Sequence, residues 1–174
     1  MIVSEGVQKR MISEPTQPTL DPSLAAAQHD SASSDDWYTP PEFFETMAIS
    51  FDIDVCAPVG GVPWIPARRH FTIQDDALVQ SWNGRVWMNP PFSNPRPFVE
   101  RWIAHENGVA LIPFTKARWF QTLWHSSASF ALWEFGAIRF VRMGERKQVF
   151  MPCLFAAIGP EINHEAIRRL GPVR

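Results

Sequence analysis

Apolar positions change period several times along this chain, and each change marks an element. Phe43, Phe44 and Met47 share one face at helical spacing. They follow Thr39-Pro40-Pro41-Glu42, where Thr39 can cap, proline suits a first turn and Glu42 completes a capping box. A helix is predicted to about residue 49. Residues 51–56 alternate like a strand. Residues 58–70, with Gly60-Gly61, Trp64, Arg68 and Arg69, read as a loop, and residues 75–82 as a short helical turn. Asn83-Gly84 is a turn signal, and 85–88 a buried strand. Residues 97–104 read as a helix with Phe98, Trp102 and Ile103 inward. Residues 108–113 form a continuous apolar run, as in a strand covered on both faces. A helix at 117–125 carries Trp119, Phe120, Leu123 and Trp124. Strands are predicted at 130–135, 137–141 and 150–158, with a polar basic loop at 142–148 and a short helix at 166–170. Strands alternating with helices imply an α/β layered fold with a mainly parallel sheet. Two late strands joined by a loop supply an antiparallel hairpin at one edge.

Residues 1–36 are rich in Ser, Pro, Gln, Ala and Asp and lack a sustained period. They are predicted to be a disordered tail with one short helix at 23–28, leaving a single domain over 37–174. The length of 174 residues, 45% hydrophobic content, 8 Trp and 13 Phe supply a substantial core. No apolar run reaches the ~20 residues a membrane-spanning helix needs. The first 20 residues lack a signal-peptide core. Cys56 and Cys153, far apart in apolar surroundings, read as reduced buried thiols, which fits a cytoplasmic protein. No Cys/His cluster has metal-ligand spacing, and the five histidines show no nucleophile–base pattern.

The net charge of −2 argues against a nucleic-acid protein, but its distribution changes the picture. Beyond residue 36 there are 14 Lys and Arg against 12 Asp and Glu. The basic residues cluster at Arg68-Arg69-His70, Arg139 with Arg142, Arg146 with Lys147, and Arg168-Arg169. Such clusters can track phosphates, although any one of them alone reads as a solvated face.

The stretch Trp87-Met88-Asn89-Pro90-Pro91-Phe92 carries the chemistry. Two prolines fix φ near −65° and remove two backbone donors. The turn therefore offers uncovered carbonyls beside an amide and an aromatic ring. The Asn89 side-chain oxygen and the Pro90 carbonyl can accept both hydrogens of an aromatic amino group while Phe92 stacks on its ring.

Three motifs stand in order: Thr39-Pro40-Pro41-Glu42, Asp52-Ile53-Asp54-Val55-Cys56-Ala57 and Asn89-Pro90-Pro91-Phe92. With them come Asp76-Ala77-Leu78 and Trp82, Leu111-Ile112-Pro113 with Trp119-Phe120, and Ile138-Arg139-Phe140 before Phe150-Met151-Pro152. From about Trp37 to Ile158 the chain resembles the compact phage-type DNA N6-adenine methyltransferase (Dam) family. The resemblance implies a Rossmann-like fold, S-adenosylmethionine as methyl donor, and transfer to the N6 amino group of a flipped adenine in DNA. It also implies a phage or prophage origin and a bacterial cytoplasm. The catalytic residues it implies are Asn89, Pro90, Pro91 and Phe92. The cofactor contacts it implies are Trp37, Thr39, Pro40, Asp52, Asp54, Cys56, Ala57, Asp76, Leu78 and Asn89. Whether Asp52 or Asp54 is the first acidic ligand stays open. Asp54 also reads as a strand-end turn residue and Asp76 as a helix cap.

Some features depart from the pattern. Ala57-Pro58-Val59-Gly60-Gly61 replaces the usual Gly-rich loop, and little room separates Asp54 from Asp76 for a helix and a second strand. Phe92 stands where tyrosine is commoner in adenine enzymes. The domain is too small for a separate recognition domain, so candidate DNA contacts fall on loops: Trp64, Arg68 and Arg69; Ser93, Asn94 and Arg96; Lys116 and Arg118; Arg142, Arg146 and Lys147. Trp64 also fits a core position. A monomer or homodimer would present these loops. The competing readings are an RNA guanine-N2 methyltransferase, a glutamine methyltransferase, and a non-catalytic nucleic-acid-binding protein with the same fold.

Overall fold

A computed structural model describes residues 35, 37–133, 137–142, 145–148 and 152–174. The expected tail helix at 23–28 and the first residues of the strand expected at 150–158 lie outside the described residues. Among the described residues, no helix is long and apolar enough to cross a membrane.

The elements are α1 (Pro41–Met47), β1 (Phe51–Asp54), β2 (Ala67–His70), β3 (Val86–Met88), α2 (Arg96–His105), β4 (Gly108–Pro113), α3 (Arg118–Trp124), β5 (Ser129–Ala131), β6 (Arg139–Arg142), β7 (Glu145–Gln148), β8 (Cys153–Ile158) and α4 (Glu161–Arg168). Six strands form one sheet in the order β2-β1-β3-β4-β8-β5. The first four are mutually parallel, and β8 runs antiparallel to both β4 and β5.

The middle of the sheet is buried on both faces because β3, β4 and β8 are apolar along almost their whole length. Val86, Met88, Ala110, Ile112, Leu154 and Ala156 face one core, closed by Val99 and Trp102 of α2 and by Phe120 and Leu123 of α3. Trp87, Val109, Leu111, Phe155 and Ala157 face the other, closed by Phe43, Phe44 and Met47 of α1 and by Ala166 and Ile167 of α4. This three-layer arrangement explains why residues 108–113 read as an unbroken apolar run.

Several expectations need correction. The capping box does not form: the α1 N-cap is Pro40, without a side-chain cap bond. Pro40 and Pro41 have no N–H, so two donors a cap would serve are missing. Helix α1 stops at Met47 because Ala48 is left-handed (φ 52°). The predicted 58–70 loop ends in β2, a polar edge strand whose Arg68, Arg69 and His70 are exposed. Exposed charges protect such an edge from pairing with other chains. The second strand thus exists, but residues 55–66 reach it without a helix.

The expected helical turn at 75–82 is a run of turns and bends. Arg101 of α2 pins it through the Leu78 and Gln80 carbonyls, and Trp82 Nε1 donates to the Ala77 carbonyl (2.9 Å). The strand expected at 130–135 is β5, Ser129–Ala131; residues 132 and 133 are outside it, and 134 and 135 lie outside the described residues. The basic loop at 142–148 contains β7, which pairs with β6 as a separate two-stranded ribbon. The antiparallel edge of the main sheet is instead β8 with β5. The last helix begins at Glu161, five residues before the expected start.

Candidate active site

The chain runs from β1 to β2 on one side, then returns to β3 on the other. In open α/β sheets, ligands bind outside the carboxyl ends of the strands where the order reverses in this way. At that point β1 ends in Asp54, and β3 runs into Asn89-Pro90-Pro91-Phe92.

The turn is anchored on its flanks. Asn94 N–H donates to the Pro91 carbonyl (3.1 Å). Ser93 donates its hydroxyl (2.6 Å) and its N–H (3.2 Å) to the Asp35 carboxylate. Phe92 meets Phe140 edge to face, with ring centroids 6.1 Å apart. The Asn89 Nδ2 donates to the Trp37 carbonyl at 3.4 Å. Its Oδ1 is buried and has no hydrogen-bond partner among the described residues. The two following prolines offer it no N–H. A buried acceptor left unpaired costs about 1–3 kcal/mol, so its persistence demands an explanation.

A second such atom lies on the neighbouring segment. Thr39 is 1% exposed, and its Oγ1 also lacks a partner among the described residues. Its carbonyl accepts from Trp64 Nε1 (2.9 Å), which draws Trp64 against the core beside α1.

The two acidic candidates of β1 sit differently. Asp52 Oδ2 accepts the Arg85 N–H (2.8 Å), and its Oδ1 is 3.6 Å from Arg68. Gly84 closes over it: at φ 74°, a Cβ there would fall 2.1 Å from Asp52 Oδ2. Asp54 is 3% exposed at the strand's carboxyl end, where Oδ1 accepts the Cys56 N–H (3.1 Å). Burial pushes its carboxyl up to about 7, against the lowering effect of that bond. Burial, with the adjacent Asp54 charge, also pushes the Cys56 thiol well above its ordinary value. Ala57 is buried next to them and bonded to the Phe71 carbonyl (2.9 Å).

Asp76 is exposed, adopts a left-handed φ of 52°, and bonds its own turn through Leu78 N–H (3.2 Å). Asp75 takes the Thr72 N–H and hydroxyl, both at 2.8 Å, and these bonds hold its carboxyl below the usual range. Leu78 is half-buried.

The basic candidates are distributed unevenly. Lys116 and Arg118 are exposed just past the carboxyl end of β4, and Arg69 is exposed on β2. Arg68 pairs with Asp52, Arg96 with Glu100 (2.8 Å), and Arg146 with Glu42 (2.8 Å). Arg142 stacks over the Trp37 ring at 5.1 Å. Lys147 lies on β7. Asp35, Arg101 and Phe140 were not anticipated. Asp35 precedes the expected start of order, Arg101 carries no motif signal, and Phe140 stands in the Ile138-Arg139-Phe140 stretch without having been given a role at the site. A separate apolar cavity of about 340 Å³, lined by Phe114, Trp124, Phe130 and Leu154 among others, shares no residue with the turn.

Residues 26–152 match the family described as DNA N-6-adenine-methyltransferase (Dam). A DNA N-6-adenine-methyltransferase of Haemophilus phage HP1 (strain HP1c1) is 38% identical over 73 residues, covering 39% of this chain and 40% of that protein. The match thus spans well under half of the relative's length. No solved structure matches the chain. The family match covers the β1 acidic end, the Asn-Pro-Pro-Phe turn and the β6–β7 ribbon together, and the chain belongs to the DNA N-6-adenine-methyltransferase (Dam) family.

Proposed function

We propose that this protein methylates the N6 amino group of adenine in DNA, using S-adenosylmethionine and a base flipped out of the helix. The unpaired Asn89 Oδ1 carries the proposal, because it is a buried acceptor with no structural use among the described residues. Family membership and the name of the phage relative support the same reaction.

The residues at the reversal point fit the methyl donor. Thr39 holds a buried hydroxyl without a partner among the described residues, and Asp54 is a buried carboxyl at the carboxyl end of β1, where such folds bind ligands. Asp54 would accept from an ammonium or from ribose hydroxyls; Asp52 is already bonded to Arg85 and paired with Arg68. The crevice is of the Rossmann-like kind. S-adenosylmethionine supplies an electrophilic methyl group when bound.

The chain's own residues then act on the base. An adenine amino nitrogen is a poor nucleophile, since its lone pair conjugates with the ring. Asn89 Oδ1 and the Pro90 carbonyl accept its two hydrogens, favour a pyramidal nitrogen and stabilise the positive charge that develops there. No strong base is required; the extra proton leaves to water afterwards. Phe92 stacks on the extruded ring, worth roughly 1–3 kcal/mol against an extrusion cost of a few kcal/mol. Exposed Lys116 and Arg118 contact phosphates beside the crevice.

The test is incubation with methyl-labelled S-adenosylmethionine and unmethylated DNA, followed by digestion to nucleosides. Label in N6-methyldeoxyadenosine is the expected result. Label only in RNA substrates, or none in any nucleic acid despite donor binding, would overturn it.

A further inference from the structure

Three consecutive residues of β6 each touch a different part of the catalytic turn's support. Phe140, 2% exposed, sets its ring perpendicular to Phe92, at an interplanar angle of 86°. Val141 pairs with Tyr38 through two backbone bonds, Tyr38 N–H to the Val141 carbonyl and Val141 N–H to the Tyr38 carbonyl, both 2.9 Å. Arg142 places its guanidinium over the Trp37 ring. The Trp37 carbonyl is the acceptor for Asn89 Nδ2. That bond decides which end of the amide is spent on the protein and which remains available. At 3.4 Å it is long and cannot hold the amide unless Trp37 is itself held. Partner strand β7 is tied to α1 by Arg146 and Glu42, which fixes the ribbon against the start of the domain.

We infer that strand β6 is a positioning element for methyl transfer: Phe140 orients Phe92, while Val141 and Arg142 hold Trp37 so that its carbonyl fixes the Asn89 amide with Oδ1 toward the substrate. The inference rests on the catalytic reading of the Asn89–Phe92 turn. It gives Arg142 a role other than phosphate binding. An arginine on a basic ribbon facing DNA would ordinarily be assigned to phosphates, and the two roles differ in what they change. A positioning residue acts on kcat, since a misplacement of about 1 Å can cost 100-fold. A phosphate contact acts on DNA affinity and lowers the salt slope by about 0.9.

The experiment compares Arg142→Gln, Arg142→Lys and Phe140→Leu in the full chain, measuring kcat, KM for DNA and its salt dependence. The expected result for Arg142→Gln is a kcat about 10-fold lower with KM and salt slope unchanged. Arg142→Lys, which keeps a cation over the indole, recovers most of the rate. Phe140→Leu, if folded by its melting curve, lowers kcat likewise. Unchanged kcat in Arg142→Gln with a raised KM and a shallower salt slope would overturn the inference. A second readout does not need turnover: hydrogen exchange of the Asn89 side-chain amide, followed by NMR, should speed up in Arg142→Gln. A wild type that methylates nothing would sink the catalytic reading. The exchange rate then decides the positioning claim alone, with faster exchange supporting it and an unchanged rate refuting it.

Discussion

Two asparagines sit at opposite strand ends of the same sheet, and their surroundings differ. Asn163, 0% exposed at the start of α4, is saturated. Its Oδ1 accepts from Arg85 Nε (2.6 Å), and its Nδ2 donates to Asn107 Oδ1 (3.0 Å) and the Ile158 carbonyl (2.9 Å). Arg85 also bonds the Ser50 carbonyl (2.9 Å), so this cluster ties together the amino ends of β1, β3 and β4 and the carboxyl end of β8. Asn89, past the carboxyl end of β3, makes one long bond and leaves its buried oxygen idle. An amide used to hold a fold spends every donor and acceptor it can. An amide kept for a ligand does not, and the protein tolerates the cost of the vacancy.

The sharpest way to break this comparison is to remove each amide in turn. Asn163→Ala strands Arg85 Nε, Asn107 Oδ1 and the Ile158 carbonyl, and should cost about 2–4 kcal/mol of stability by denaturant unfolding. Its kcat below the melting transition should stay within a factor of about two. Asn89→Ala should do the reverse, lowering kcat by about 100- to 1,000-fold with little change in melting temperature. A destabilised Asn89→Ala or an inactive, folded Asn163→Ala would erase the distinction.

Asp54 extends the comparison to charge. The folded carboxyl holds its proton up to about pH 7, whereas the unfolded one releases it near 4. Between those values the folded state binds the extra proton, so stability falls as pH rises through that window and levels off above about 7. The slope is about 1.4 kcal/mol per pH unit. Asp54→Asn should abolish it in urea melts taken from pH 4 to 8. The same substitution should weaken donor binding and remove its rise with pH near 7, measured by calorimetry. A wild-type stability that climbs over this range would contradict the buried placement of Asp54.

A smaller effect belongs to Gly84. Its left-handed φ and the approach of Asp52 leave no room for a side chain, so Gly84→Ala should cost about 1–3 kcal/mol in thermal melts without altering donor affinity.

Much of this was legible in the sequence where apolar pattern and burial coincide. Strands β3, β4 and β8 announce themselves because both faces are covered, and the Asn-Pro-Pro-Phe turn stands out because two prolines restrict it so tightly. Elements held by polar contacts were hidden. Strand β2 carries Arg-Arg-His on an exposed edge, and β7 carries Glu-Arg-Lys-Gln, so neither shows strand alternation. The different surroundings of Asp52 and Asp54 were obscured in another way. The N–H groups of Asp52 and Ile53 both reach the Arg85 carbonyl (2.7 and 3.4 Å), which breaks the alternation that would have assigned their faces. Phe51 consequently packs in one core and Ile53 in the other. The role of Thr39 was misread as a cap because the consequence of two following prolines, an idle hydroxyl, appears only in three dimensions.

The most direct test of the central claim measures two quantities on one Asn89→Ala preparation: S-adenosylmethionine affinity by calorimetry, and N6-methyldeoxyadenosine formed in unmethylated DNA. The account predicts wild-type donor affinity with product formation at least 100-fold below wild type. Near wild-type product formation, or loss of donor binding in a folded protein, would contradict it.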